Sequence, residues 1–146
     1  METIALLAPT GRAAKKMNSS TGIPAYTIHR YLKWYKDSNE FVYNEFNKTH
    51  HKLIIVDEVS MIDVDLFNAL LNGINSNIKL ILVGDTFQLP SVGPGLVLNE
   101  LIESDYFNYI PLNQIYRQSD NSYIPFLAKE IKNNDLSEEF LTKKDD

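Results

Sequence analysis

Short apolar runs alternate with helical periodicities along this chain, and most of the runs stop abruptly at polar groups. Ile4–Ala8 is apolar and is ended by Pro9, which predicts a strand. Thr10-Gly11 reads as a turn, and Arg12 to Met17 carries good helix formers, so a helix starts there. Ser19 to Pro24 reads as a loop. Thr27 is placed to cap a second helix, with Ile28, Tyr31, Leu32 and Tyr35 on one face. Residues 37–51 show no clear period and read as an irregular connection or a weak strand pair. Leu53–Val56 predicts a buried strand. Asp63 is placed to cap a helix through Leu66, Phe67, Leu70 and Leu71, with Gly73 as its stop. Ile78–Val83 predicts another strand, and Ser91 to Gly95 a glycine-proline loop. Leu96, Leu98, Leu101 and Ile102 predict a short amphipathic helix, and Tyr109–Leu112 a further strand. Ser122 is placed to cap a helix carrying Ile124, Leu127, Ala128 and Ile131. The charged end, Leu136 to Asp146, reads as frayed or cut off. Strands alternating with helices imply an α/β layered domain with a parallel sheet and functional residues at the C-terminal ends of its strands.

Composition narrows the class. The chain has 146 residues, enough for one domain with a core. No run approaches the ~18–20 apolar residues of a membrane span, and the start of the chain lacks the basic region of a signal peptide. Cysteine is absent, which excludes disulfides and thiolate metal sites. Cytoplasmic residence is the expectation. The net charge of −5 argues against a simple nucleic-acid coat protein. Yet residues 1–52 carry eight Lys/Arg against four acids, and the remainder six against fifteen. A basic first third suits a polyanion on one side of the molecule; scattered solvated charge fits the same numbers.

Two strands deliver the candidate chemistry. Leu53-Ile-Ile-Val ends in Asp57-Glu58, and Leu80-Ile-Leu-Val ends in Gly84-Asp-Thr-Phe-Gln88. One carboxylate can hold the shell of a Mg²⁺-nucleotide while its neighbour polarises an attacking water. Gln88 sits where a phosphate-sensing group belongs. Asp57-Glu58 alone also fits a solvated turn; the buried strand before it favours a site. Thr10-Gly11-Arg12 follows the first strand, where glycine lets a ligand approach and a helix N-terminus favours an anion. An ordinary strand–helix turn accounts for it as well. Arg117 is placed to act as an arginine finger or to pair with a nearby acid. Tyr31, Trp34 and Tyr35 suit base stacking or packing, and His50-His51 read as structural.

Taken together, these segments are more specific. Leu7-Ala-Pro-Thr-Gly-Arg-Ala-Ala14, Thr27-Ile-His-Arg30, Ile54-Ile-Val-Asp-Glu-Val-Ser-Met-Ile-Asp63, Leu82-Val-Gly-Asp-Thr-Phe-Gln-Leu-Pro-Ser-Val-Gly-Pro-Gly95 and Ile115-Tyr-Arg-Gln118 resemble, in order, motifs of RecD-like DNA helicases of superfamily one. The run Gln88 to Gly95 is closer to stand-alone RecD-like helicases than to conjugative relaxase–helicases. The resemblance implies a RecA-like P-loop NTPase fold that uses ATP and Mg²⁺. It implies that Asp57 binds the metal, Glu58 activates the hydrolytic water, Gln88 senses the γ-phosphate and Arg117 stabilises transferring charge. Thr10, Gly11 and Arg12 would touch single-stranded DNA, with Thr27 and His29 nearby. The family moves 5′ to 3′ and unwinds duplex DNA ahead of it.

No Gly-x-x-x-x-Gly-Lys-Ser/Thr occurs in the chain. In the family that loop and its strand lie upstream of Pro9-Thr10-Gly11, so the expectation is an incomplete RecA-like domain over residues 1–135, a cut C-terminal linker over 136–146, and an inactive fragment. The absent strand would leave an open sheet edge beside Ile78–Val83, which predicts self-association. Two other readings stand beside this one: a non-catalytic single-stranded-DNA or protein-interaction module, and the helicase part of a relaxase.

Overall fold

The computed structural model describes residues 3–112. The chain forms two compact units, Met1–Asn108 and Tyr109–Asp146. Within the first, four parallel strands form one sheet: β1 (Ile4–Ala8), β2 (Ala25–Thr27), β5 (Leu53–Val56) and β6 (Lys79–Leu82), in the order β2-β1-β5-β6. A short antiparallel pair, β3 (Trp34–Tyr35) and β4 (Glu40–Phe41), stands apart from it. The helices are α1 (Gly11–Thr21), α2 (Ile28–Tyr31), α3 (Val64–Gly73) and α4 (Val97–Glu103). No helix among the described residues is long and apolar enough to cross a membrane.

The pleat divides the sheet residues between two faces. Ala5, Leu7, Ile54 and Val56 join one cluster with Ile28, Tyr31, Leu32, Leu70 and Leu98 from the helices and loops. Leu7, Ile28, Leu32, Ile54 and Leu70 are fully buried, each contributing roughly 1.5–3 kcal/mol. The register aligns Leu6, Ile55 and Ile81 across the other face. Exposure rises along that row, from buried Leu6 to half-buried Ile55 to exposed Ile81. Helix α1 contacts β1 and β2, so this face opens toward β6. Among the described residues β6 is also an edge strand, as the sequence predicts, with β2 at the opposite edge.

Local chemistry sets the helix ends. Thr10, Thr27 and Asp63 are N-caps whose side chains accept from the backbone N–H of Ala13, Arg30 and Leu66. Gly73 closes α3 through packing and not through a left-handed turn. A Cβ there would lie 2.5 Å from Leu32 Cδ2 and 3.1 Å from the Tyr43 carbonyl.

Four sequence expectations need correction. Helix α1 continues through Ser19 and Thr21, whose hydroxyls donate to the Lys15 and Met17 carbonyls, and Gly22 at φ 70° ends it. Helix α2 is a single turn that stops before Tyr35, because Val42 and Tyr43 take the Lys33 and Leu32 carbonyls and draw the chain into the β3–β4 pair. Ala25–Thr27 is a strand that its three residues do not announce. Tyr109–Leu112 forms no strand; its Tyr109, Ile110 and Leu112 side chains are exposed and no ladder partner is present among the described residues. The predicted helix after Ser122, the charged end from Leu136 and Arg117 all lie outside the described residues.

Candidate active site

Four parallel strands put their C-terminal ends at one rim, and four predicted segments follow those ends directly. Thr10–Arg12 follows β1, Thr27–His29 begins at the end of β2, Asp57–Glu58 follows β5, and Gly84–Gln88 follows β6. Chain connections diverge at β1 and β5: β1 leads by α1 to β2, while β5 leads by α3 to β6 on the other side. Ligands of open α/β sheets sit at such a switch point.

Asp57-Glu58 is held from both sides. The Asp57 N–H donates to the Leu7 carbonyl at 2.9 Å, and the Val59 N–H to the Val83 carbonyl at 3.0 Å. Asp57 Oδ1 accepts from the Glu58 N–H at 2.9 Å. Between these anchors Glu58 lies in the left-handed region, at φ 56° and ψ 42°, and starts a 3₁₀ turn over Val59–Met61. A non-glycine residue there stores about 1–2 kcal/mol of strain. Gly84 makes the second anchor possible. A Cβ on it would stand 3.1 Å from the Val59 nitrogen, 3.2 Å from the Ser60 nitrogen and 2.8 Å from Leu98 Cδ2. The Ser60 hydroxyl is buried there without a hydrogen-bond partner among the described residues.

Asp57 opens onto a cleft of about 300 Å³ shared with Lys16, Met17, Ser20 and Thr21 of α1 and with Val83. No cluster of three His, Cys, Asp or Glu is present among the described residues. One carboxylate with an oxygen to spare still fits Mg²⁺, which keeps several waters and takes its other ligands from substrate phosphates.

Beyond β6, Asp85 Oδ1 accepts from the Phe87 N–H at 3.0 Å and the Asp85 carbonyl accepts from the Gln88 N–H at 3.1 Å. That turn leaves Gln88 exposed. The following loop caps α3: the Pro94 carbonyl accepts from the Val64 N–H at 2.9 Å, and Ser91 Oγ reaches the Gly93 and Gly95 carbonyls. Gly93 faces the Asp63 carboxylate, and Gly95 has φ +92°.

At the β1 end, nothing lies within 4 Å of a Cβ built on Gly11, and Arg12 is exposed. The Thr10 and Thr27 oxygens are committed to capping, while their hydroxyl protons remain able to donate. His29 is exposed and packs edge-on against Trp34, at 6.0 Å between centroids, and beside Phe41. The rim thus brings together eight of the nine predicted site residues, and Arg117 lies outside the described part. Sequence reasoning missed Gly84, Ser60 and the Tyr31–Thr49–His51 contacts. The Leu-Val-Gly-Asp run signals the first, and an isolated polar Thr49 carries no signal for the last.

A family model described as an AAA domain, AAA_30, matches residues 2–146. The ATP-dependent RecD2 DNA helicase of Deinococcus radiodurans is 40% identical over 116 residues, covering 80% of this chain and 16% of that protein. The RecBCD enzyme subunit RecD of Mycolicibacterium smegmatis is 37% identical over 117 residues, covering 68% and 21%. The crystal structure of Pif1 helicase from Bacteroides with ADP-AlF3 and single-stranded DNA superposes with a TM-score of 0.61 at 20% identity, over 97% of this chain and 39% of that one. The fold is therefore the RecA-like P-loop type, as its sequence implies. The chain spans about a fifth or less of the length of these two curated relatives.

Proposed function

The chain belongs to the AAA_30 family of AAA domains, as a RecD-like helicase motor domain of superfamily one, and from that premise we propose that it supplies part of the first motor of an ATP-dependent DNA helicase. In this reading Asp57 holds Mg²⁺, which when bound neutralises charge on the phosphates. Glu58 takes a proton from the attacking water, Gln88 senses the γ-phosphate, and Arg117 stabilises charge on the transferring group. Thr10, Gly11 and Arg12, with Thr27 and His29, contact single-stranded DNA. The parent motor works in the cytoplasm, moves 5′ to 3′ and unwinds duplex. What most supports the reading is Glu58, held in a strained left-handed conformation at the switch point between two backbone anchors.

A sequence without a Gly-x-x-x-x-Gly-Lys-Ser/Thr loop lacks the main partners of the β- and γ-phosphates. The 146-residue chain alone is therefore expected to hydrolyse no ATP above a Glu58→Gln control. The decisive test grafts residues 4–108 in place of the matching segment of the Deinococcus radiodurans RecD2 helicase. DNA-stimulated ATP hydrolysis that disappears with Glu58→Gln supports the proposal; hydrolysis that survives Glu58→Gln sinks the role given to Glu58. The edge of β6, open among the described residues and with Ile81 and Val83 exposed, also leads us to propose self-association of the isolated chain. A monodisperse monomer at high concentration in light scattering would refute that.

A further inference from the structure

Beside the β2 end of the strand rim, a second concavity of about 310 Å³ lies between α2, β2 and the segment leading into β5. Three phenol rings line it, from Tyr26, Tyr31 and Tyr43. Two cations, Arg30 and Lys33, and the imidazoles of His50 and His51 complete its polar wall. Among the described residues that line it there is no carboxylate. We propose that this cleft binds one nucleotide unit, with the base on a tyrosine ring and the phosphate on Arg30 and Lys33.

Three observations carry the assignment. The floor is a fixed polar network. The Tyr31 hydroxyl lies 2.9 Å from Thr49 Oγ1 and 3.0 Å from His51 Nδ1. Thr49, 3% exposed, is the buried polar residue of the described chain, and its backbone is tied to Gly73 and Asn75. Both cations are aimed by the fold. Arg30 stacks over Tyr26 at 5.4 Å, and Lys33 Nζ stands 5.1 Å from the Tyr43 ring centre. Lys33 also holds φ 55°, a position that helix ends normally give to glycine. Its strain persists because the Val42 N–H binds the Lys33 carbonyl at 3.2 Å and the Tyr43 N–H binds the Leu32 carbonyl at 3.1 Å. Finally, the chemistry is selective. Cations with no acid among the described lining residues favour an anion, while phenol rings offer a flat π-system a stacking face; a nucleotide has both. The volume is at the small end of ligand sites, suited to one unit.

The unit can come from single-stranded DNA or from a free nucleotide. The first source deepens the proposed DNA reading and rests on it: Arg30 directly follows His29, so a strand on the rim at Thr27 meets the cleft within the single turn of α2. The test cross-links the 146-residue chain to an oligothymidylate carrying 4-thiothymidine and maps the adducts by mass spectrometry. Expected are adducts on Tyr26, Tyr43 or His50. The Arg30→Ala/Lys33→Ala double variant, altered at two exposed side chains, should lose them, bind about tenfold more weakly, and show a salt slope smaller by about 0.7, the value for one phosphate on a single strand. Arg12→Ala should weaken binding yet keep these adducts. If the oligomer binds but adducts fall only at residues 10–12, the cleft assignment fails and the DNA reading stands. If no oligomer binds while thymidine monophosphate shifts the His50 and His51 ring proton resonances, the cleft stands and the DNA reading fails. A phosphopeptide that binds where neither nucleotide form does would overturn the proposal.

Discussion

Glu58 is asked to be both the hydrolytic base and a residue in the left-handed region, and these demands can be separated by substitution. Glycine removes the strain and glutamine keeps it. A side chain in that region costs about 1–2 kcal/mol, and glycine removes this cost. Against that, glycine adds freedom to the unfolded chain, worth about 0.4–1 kcal/mol. The Glu58 carboxylate makes no hydrogen bond among the described residues, so truncating it removes little else. Taking the middle of each range, net stabilisation of Glu58→Gly over Glu58→Gln is then about 0.8 kcal/mol. With a urea slope of about 2 kcal/mol/M, the midpoint rises by about 0.4 M. Glutamine is the proper reference because both variants lack the charge. Equilibrium urea unfolding followed by circular dichroism reads the difference directly. A midpoint for the glycine variant equal to or below that of the glutamine variant would mean that Glu58 is not strained, and the anchors at Leu7 and Val83 would lose their explanation.

Further outcomes follow from other contacts. Arg12→Ala should weaken single-strand binding with little base preference and cut the salt slope by about 0.7; unchanged anisotropy titrations across salt concentrations would refute a phosphate contact. Burial lifts the Tyr31 hydroxyl above the ordinary tyrosine pKa, with the Thr49 hydrogen bond opposing and Tyr43 adding to the rise. The unfolded chain therefore releases this proton first, and the stability Tyr31 contributes is full below the ordinary value, about pH 10, and is lost as pH rises through the raised one. Tyr31→Phe should cost about 1–3 kcal/mol at neutral pH, by unpairing Thr49 and His51, and should flatten that alkaline loss in unfolding titrations; an alkaline limb identical to wild type would count against it. In Gly93→Ala the new Cβ would stand 2.7 Å from Asp63 Cγ, displacing the cap from the Leu66 N–H and costing about 1–2 kcal/mol. In an Asp63→Ala background the same change should cost less, with a coupling of at least about 0.5 kcal/mol, and strictly additive denaturation midpoints would argue that the loop does not brace α3.

What was legible in the sequence had local causes. Apolar runs ended by Pro9, Asp57 and Gly84 marked β1, β5 and β6, and short polar side chains at Thr10, Thr27 and Asp63 marked helix starts, because capping is decided within four residues. Ala25–Thr27, too short to show an apolar run, became a strand because its backbone fits beside Leu6–Ala8, a partner nearly twenty residues away. Tyr35 left the predicted helix for a similar reason: hydrogen bonds from Val42 and Tyr43 outweigh an apolar period that ended in an exposed ring. The candidate site divides in the same way. Asp57-Glu58 could be read from the strand before it, whereas the left-handed backbone of Glu58 depends on β1 and β6 at once. Thr49 and His51 carried no pattern, since their partner Tyr31 is set by the packing of α2.

The strand rim is built more by backbone than by side chains, and that has a functional consequence. Asp57 and Val59 are tied to the ends of two different strands, β1 and β6, so Glu58 reports any shift of one strand against the other. Gly84 is the contact that keeps β6 close: its Cβ-free backbone lies against the Val59 and Ser60 nitrogens. Leu98 of α4 packs on the same glycine, and the Gly93–Gly95 loop that leads into α4 braces α3 through Pro94 and Asp63. A movement of the loop after Gln88 therefore has a packed route to Glu58, the proposed catalytic carboxylate, through Leu98 and Gly84, without any side chain of the loop reaching it. In the proposed motor, where Gln88 and Glu58 follow the adjacent strands β6 and β5, such a route would link the state of Gln88 to the placement of Glu58. The geometry gives that coupling a definite weak point, since anything larger than hydrogen at position 84 must part the two strands' ends by a few tenths of an ångström.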